Sequence, residues 1–257
     1  MIKKFYVDYP AFTGLEKRKV YLYLPKGYRR NRKKRYPVLY MFDGHNIFYD
    51  SDATYGKSWG LKEYLDKEGT EIIVCAVSCH FGENNERIME YSPYPLILSE
   101  GEELSPGYGD DTFKWFIKNM KPKIDRRYRT LTDRENTFLM GSSMGGLMTV
   151  YGLIKYNNIF SKGAALSPFY MYNAQELIKE IEENKIDKKT TLYTDYGADD
   201  LITEQCIPMF CKINTMLIEK GVNVTSRIIE NGLHNEATWE KQLPFAMATL
   251  MYKPLEI

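Results

Sequence analysis

Thr137-Phe-Leu-Met-Gly-Ser-Ser-Met-Gly-Gly-Leu-Met-Thr-Val-Tyr151 is the stretch on which the fold turns. Thr137 to Met140 is β-branched or apolar throughout, as in a strand covered on both faces, and Met144 to Tyr156 carries helical periodicity. Between them Gly141-Ser142-Ser143-Met144-Gly145 fits G-x-S-x-G, a tight strand-to-helix turn that holds its serine exposed. The pattern alone is weak, because about one chain of this length in ten contains it by chance at average Gly and Ser usage. A second match, Gly56-Lys57-Ser58-Trp59-Gly60, follows the polar Ser51-Asp-Ala-Thr-Tyr55 instead of a strand. Ser58 therefore reads as a cap for a helix beginning near Leu61, and Ser143 as the nucleophile.

Outward from this turn, apolar or β-branched runs alternate with helical patterns, which predicts a mostly parallel sheet with helices on both faces. The runs are Arg18–Leu24, Pro37–Phe42, Glu71–Val77, Gly163–Leu166, Thr191–Tyr196 and Val222–Ile229. Arg18–Leu24 alternates like an outer antiparallel strand, and the others read as central. Helices are predicted over Leu61–Lys67, Asp111–Tyr128, Ala174–Asn184, Thr203–Gly221 and Glu236–Tyr252, with an apolar stripe of Ile207, Phe210, Ile213, Leu217 and Ile218 in the fourth. Pro208 is expected to kink that helix or delay its start. Cys79–Gly109 reads as one long irregular segment.

The 257 residues form one domain on this reading, since no linker, repeat or low-complexity tract interrupts the series. Thirty-five basic against 34 acidic residues give a net charge of +1. Such a balance supplies no global field for nucleic acid or an anionic membrane. The basic run Arg29–Arg35 reads as a solvated turn. Met1–Asp8 lacks a signal peptide's apolar stretch and no run is long enough to span a bilayer, so a cytoplasmic location is expected. The four cysteines (Cys75, Cys79, Cys206, Cys211) are too few for a disulfide scaffold and have no C-x-x-C spacing. All four are read as buried thiols, with no metal and no cofactor expected.

A serine hydroxyl needs a base. Of His45, His80 and His234, only His234 lies beyond the serine, as the order Ser, then Asp or Glu, then His requires. The orienting carboxylate must leave a strand between the two, where Asp195, Asp199 and Asp200 are available. One oxyanion donor is the Met144 N–H at the helix start, and the second is the N–H of Gly44 or His45 in the loop after Pro37–Phe42.

These residues resemble the putative-esterase family of α/β hydrolases, which includes enterochelin esterases, S-formylglutathione hydrolases and acetyl- and feruloyl-esterases. The similarity rests on Tyr23-Leu-Pro25, Tyr40-Met-Phe-Asp-Gly-His-Asn46, Ser58-Trp59, Arg87 with Glu90-Tyr-Ser-Pro93, Lys123-Ile-Asp-Arg-Arg-Tyr128, Gly141–Gly146, Leu166-Ser-Pro168 and Gly232-Leu-His-Asn-Glu236 with Trp239. It implies an α/β-hydrolase fold with an eight-stranded sheet and no large lid. Placing the acid three residues after a glycine at the seventh strand's end, it maps that role to Asp200. The expected activity is serine carboxylic-ester hydrolysis through an acyl-enzyme, on small acyl or aromatic-acyl esters of sugars. A siderophore trilactone, or acyl transfer through the same triad, is the alternative. Trp59, Arg87, Tyr91, Tyr170 and Trp239 are the candidate substrate contacts. The expected partner is a small-molecule ester. The sequence leaves the oligomeric state open, a homodimer included.

Overall fold

The computed structural model describes residues 1–80, 82, 86–97 and 104–252. Among them, eight strands form one sheet: β1 (Ile2–Ala11), β2 (Gly14–Tyr23), β3 (Val38–Met41), β4 (Ile73–Val77), β5 (Thr137–Ser142), β6 (Lys162–Leu166), β7 (Thr191–Gly197) and β8 (Asn223–Ile229). Their spatial order is β1-β2-β4-β3-β5-β6-β7-β8. β2 runs antiparallel to both its neighbours, β1 and β4, and every other pairing is parallel. All the carboxyl ends from β3 onward therefore share one edge, where open α/β sheets place their ligands. The basic run lies in the β2–β3 connection at the opposite edge.

Helices α1 (Leu61–Glu68) and α8 (Glu236–Met251) cover one face. The other face is covered by α3 (Gly109–Trp115), α4 (Lys121–Arg127), α5 (Met144–Lys155), α6 (Ala174–Glu183) and α7 (Thr203–Glu219). Alternation along β2 divides its side chains as predicted, with Val20 and Leu22 in one core and Tyr21 and Tyr23 in the other. The predicted helix over 111–128 starts earlier and contains a π-helical turn at Phe116–Met120. Gly221 stops α7 with a φ of 89°, the left-handed geometry that glycine adopts without strain.

Several expectations are corrected. β1 was not read as a strand, because Lys3, Lys4, Asp8 and Pro10 break its apolar alternation, which an outer edge tolerates. Val222–Ile229 is an outer strand too, with Asn223, Thr225, Ser226 and Ile228 exposed, and not a central one. On α7, Ile218 faces solvent, Cys206 and Asn214 take buried places, and Pro208 lies inside the helix. Cys211 is exposed while the other three thiols are buried. Gly60, at a φ of 58°, caps α1, and Ser58 instead donates to Asp50 Oδ1 (2.7 Å) while accepting the Gly60 N–H (3.4 Å). The irregular segment Cys79–Gly109, part of which lies outside the described residues, contains a short helix, α2 (Glu86–Glu90).

Arg18 on β2 and Glu90 on α2 form a bidentate pair at 2.9 and 2.5 Å, and both side chains are under 5% exposed. Burial pushes the Glu90 carboxyl up, and Arg18 pulls it back only in part. Removing the guanidinium strands that carboxyl in the interior, so Arg18→Ala is expected to destabilise the fold by about 3 to 5 kcal/mol in denaturant titrations. A loss below about 1 kcal/mol would mean that Glu90 takes up a proton or finds water, at little cost to the packing around it.

Candidate active site

Ser143 sits between β5 and α5 with φ 56° and ψ −123°. That backbone is strained for any residue with a side chain, and such strain persists only where the surroundings over-determine it. Here Ser143 N–H donates to Leu166 O (3.0 Å), and Ser143 O accepts from Phe169 N–H (3.1 Å) and Leu147 N–H (3.0 Å). Its neighbours from Gly141 to Gly146 are buried, whereas Ser143 is partly exposed. Met144 opens α5, so its N–H belongs to the first turn, where helical N–H groups have no partner within the helix.

The loop after β7 is stitched to the turn after β8 by Ala198 N–H to Ile229 O (2.9 Å) and Asp199 N–H to Gly232 O (3.0 Å). A Cβ on Gly197 would stand 2.2 Å from Gly232 O, so only glycine permits this approach. The stitching brings Asp200 Oδ1 to 2.6 Å from His234 Nδ1. The Asp200 side chain is fully enclosed and that of His234 is 15% exposed. Burial pushes the Asp200 carboxyl up, but the bond and charge of His234 outweigh it and hold the group below the usual carboxylate range. Asn235 caps α8 by accepting the Thr238 N–H (2.9 Å), which fixes the residue next to the imidazole. Trp239 meets the imidazole edge to face at 5.1 Å.

Of the three candidate aspartates, Asp195, Asp199 and Asp200, Asp200 is the one placed on the imidazole. Asp199 is exposed. Asp195 is buried in β7, where it accepts from Tyr193 Oη (2.8 Å) and the Ser167 N–H (3.2 Å), and burial pushes its carboxyl up to about 7. His80 lies elsewhere, with Nδ1 2.6 Å from Glu16 Oε1.

The loop after β3 begins with Asp43 in left-handed backbone (φ 51°), followed by a single helical turn, Gly44–Asn46. A Cβ on Gly44 would lie 2.7 Å from the Ala76 carbonyl carbon, so the close pass over the end of β4 demands glycine. The Asp43 N–H donates to Tyr91 Oη (3.2 Å) and the Asn46 N–H to Asp43 O (2.8 Å). Neither can therefore serve an oxyanion, and Gly44 and His45 remain the candidates. Asn46 Nδ2 also donates to Glu236 Oε1 (3.1 Å), tying this loop to the helix behind His234.

The profile of the Putative esterase family matches residues 15–250. The chain belongs to this family. It is 24% identical over 163 residues to "Uncharacterized protein YbbA" of Bacillus subtilis, covering 63% of this chain and 61% of that protein. It is 25% identical over 235 residues to the "Endo-1,4-beta-xylanase/feruloyl esterase" of Xylanibacter ruminicola, covering 90% of this chain and 29% of that protein. The chain thus spans less than two thirds of either relative's length. A solved structure of a ferulic acid esterase superposes with a TM-score of 0.69 at 20% identity, over 98% of this chain and all of that one, which shows a common α/β-hydrolase fold.

On this esterase scaffold the expected substrate contacts take a different place. Trp59, Tyr91, Tyr170 and Trp239 are each 5% exposed or less, and Trp59 packs against Trp239 at 5.9 Å. Large rings at the sheet's end gain more by burial than by facing water, and they support the site from beneath. Arg87, also expected as a substrate contact, forms a bidentate pair with Asp43 at 2.6 and 2.7 Å. Burial raises the Asp43 carboxyl, but this guanidinium more than offsets it and the group stays ionised below its ordinary range. Arg87 thereby anchors the loop that carries Gly44 and His45. Asp43, His45 and Cys79 have ligand atoms within 4.8 Å of one another, but the cation beside Asp43 is Arg87. Sequence reading missed the roles of Asp43, Asn46 and Glu236. The signal for them lay in the motifs Asp43–Asn46 and Gly232–Glu236, whose pairing only the fold reveals.

Proposed function

We propose that this esterase-family chain is a serine carboxylic-ester hydrolase in which Ser143 is the nucleophile, His234 the base and Asp200 the orienting acid. The observation that carries the reading is the 2.6 Å contact between Asp200 Oδ1 and His234 Nδ1, made at the same sheet edge as a serine in strained elbow geometry. With Nδ1–H donated to Asp200, Nε2 carries the lone pair that takes the Ser143 proton. Ser143 Oγ bonds to the ester carbonyl carbon, and the electron pair moves to the carbonyl oxygen. That oxyanion is received by the Met144 N–H and by the N–H of Gly44 or His45. The intermediate collapses to the acyl-enzyme as His234 returns the proton to the departing alcohol. Water then repeats the sequence, releases the acid and restores the serine. No metal or cofactor takes part in these steps.

The substrate reading is a small acyl or aromatic-acyl ester of a sugar. Support comes from the feruloyl-esterase name of the Xylanibacter relative. The test is a panel of p-nitrophenyl acetate, acetylated xylose, methyl ferulate and a siderophore trilactone. Turnover of the acetyl or feruloyl esters is the expected result. Preference for the trilactone by more than about tenfold in kcat/KM would reassign the substrate.

A further inference from the structure

Ser167 directly follows β6, is 1% exposed and has a φ of 40°. Glycine would take that left-handed backbone at lower cost. Its N–H is held by Asp195, with the carbonyl oxygen at 3.0 Å and Oδ1 at 3.2 Å, so the backbone is fixed. Its Oγ accepts the Trp239 Nε1–H at 3.2 Å. A hydroxyl has one proton to donate, and the acceptor beside it is Asp200. There, Oδ1 takes His234 Nδ1 and the Leu201 N–H (2.6 Å), while Oδ2 is buried and has no hydrogen-bond partner among the described residues. Ser167 nevertheless stands near enough to help hold the Asp200 carboxyl down, after the larger effects of burial and His234.

We propose that Ser167 is a positioning residue whose hydroxyl donates to Asp200 Oδ2 while accepting from Trp239. The acid and the indole that packs against His234 are thereby held in one arrangement. A carboxylate held through one oxygen can rotate about its Cβ–Cγ bond, and holding the second fixes the angle at which Oδ1 meets the imidazole. This inference rests on the hydrolase reading above. The charged or titratable groups facing Ser167 are Asp195 and Asp200, with His234 behind Asp200, and Tyr193 and Arg227 beside Asp195.

The experiment compares wild type, Ser167→Ala and Ser167→Gly on p-nitrophenyl acetate across pH. Both variants are expected to lose roughly ten- to a hundredfold in kcat, the effect of deleting a hydrogen bond to a charged group, with KM changed by less than about twofold. The acid limb of kcat/KM is expected to move to higher pH, because a carboxylate that loses a donor binds protons and the imidazolium more tightly. Ser167→Gly also relaxes the left-handed backbone, so a loss of activity shared with Ser167→Ala at unequal Tm belongs to the hydroxyl and not to folding. Trp239→Phe, which keeps an aromatic ring but deletes the indole N–H, should lower kcat in the same direction but less. If Ser167→Gly keeps kcat within about twofold of wild type and the acid limb stays in place, the inference is overturned. If wild type turns over no ester, or Ser143→Ala is as active as wild type, the hydrolase reading has failed and this inference goes with it.

Discussion

Ser143→Ala is expected to abolish ester turnover almost completely, with kcat falling by about 10⁵- to 10⁶-fold, the scale seen when the nucleophile of a serine hydrolase is deleted. Without Oγ there is no acyl-enzyme, and His234 has no proton to take from the side chain. What survives is water attacking a carbonyl polarised by the Met144 and Gly44 or His45 N–H groups, worth on the order of 10³ to 10⁴ over the uncatalysed reaction. The substitution leaves the local structure in place, because the interactions holding residue 143 are made by its backbone: N–H to Leu166 O, and O from Phe169 and Leu147 N–H. Alanine suffers the same left-handed φ as serine, so Tm should move by no more than a degree or two. Steady-state assays with p-nitrophenyl acetate, together with labelling by a fluorophosphonate, check both halves. Retention of a tenth of the wild-type rate by a folded Ser143→Ala protein would place the nucleophile elsewhere.

How far this site can be read from the sequence depends on whether a residue's role follows from its neighbours in the chain. Ser143 was legible because strand, tight turn and helix are all local, and the structure supplies the elbow at that position. His234 followed from order along the chain and from a turn leading into α8. The choice among Asp195, Asp199 and Asp200 was not legible from the strand pattern. It depends on Gly197 and Gly232 passing at backbone contact, a meeting of two connections more than thirty residues apart. Arg87 shows the reverse failure. An arginine in a polar loop reads as available to a ligand, and only the fold reveals Asp43 opposite its Nε and Nη2. β1 failed for an energetic reason. An edge strand with one solvated face needs few apolar residues, so Ile2–Ala11 carries lysine, aspartate and proline where a central strand would not.

Asp200→Asn offers a test that separates geometry from charge, and kcat is expected to fall by about 10³- to 10⁴-fold with KM little changed. The asparagine is nearly isosteric, so it fills the same enclosed space. Its amide oxygen, if kept on the Leu201 N–H, still accepts from Nδ1–H but carries no charge to stabilise the imidazolium. Turned the other way, the amide NH2 faces Nδ1 and selects the tautomer in which Nε2 bears the proton and cannot receive one from Ser143. Asp199→Asn is the control, since Asp199 is exposed and its only bond described is made by the backbone N–H. That variant should keep its rate within about twofold. The same carboxylate leaves a signature in stability. Its folded pKa is lowered despite burial, so ionised Asp200 stabilises the fold above the unfolded-state value near ~3.9, and that contribution is lost as pH falls through the lower folded value. Wild type should therefore exceed Asp200→Asn in Tm at neutral pH, with the gap closing in acid. A gap that stayed constant down to the acid transition would show that the carboxylate is not bonded to His234 in solution, and the pairing on which the mechanism depends would have to be given up.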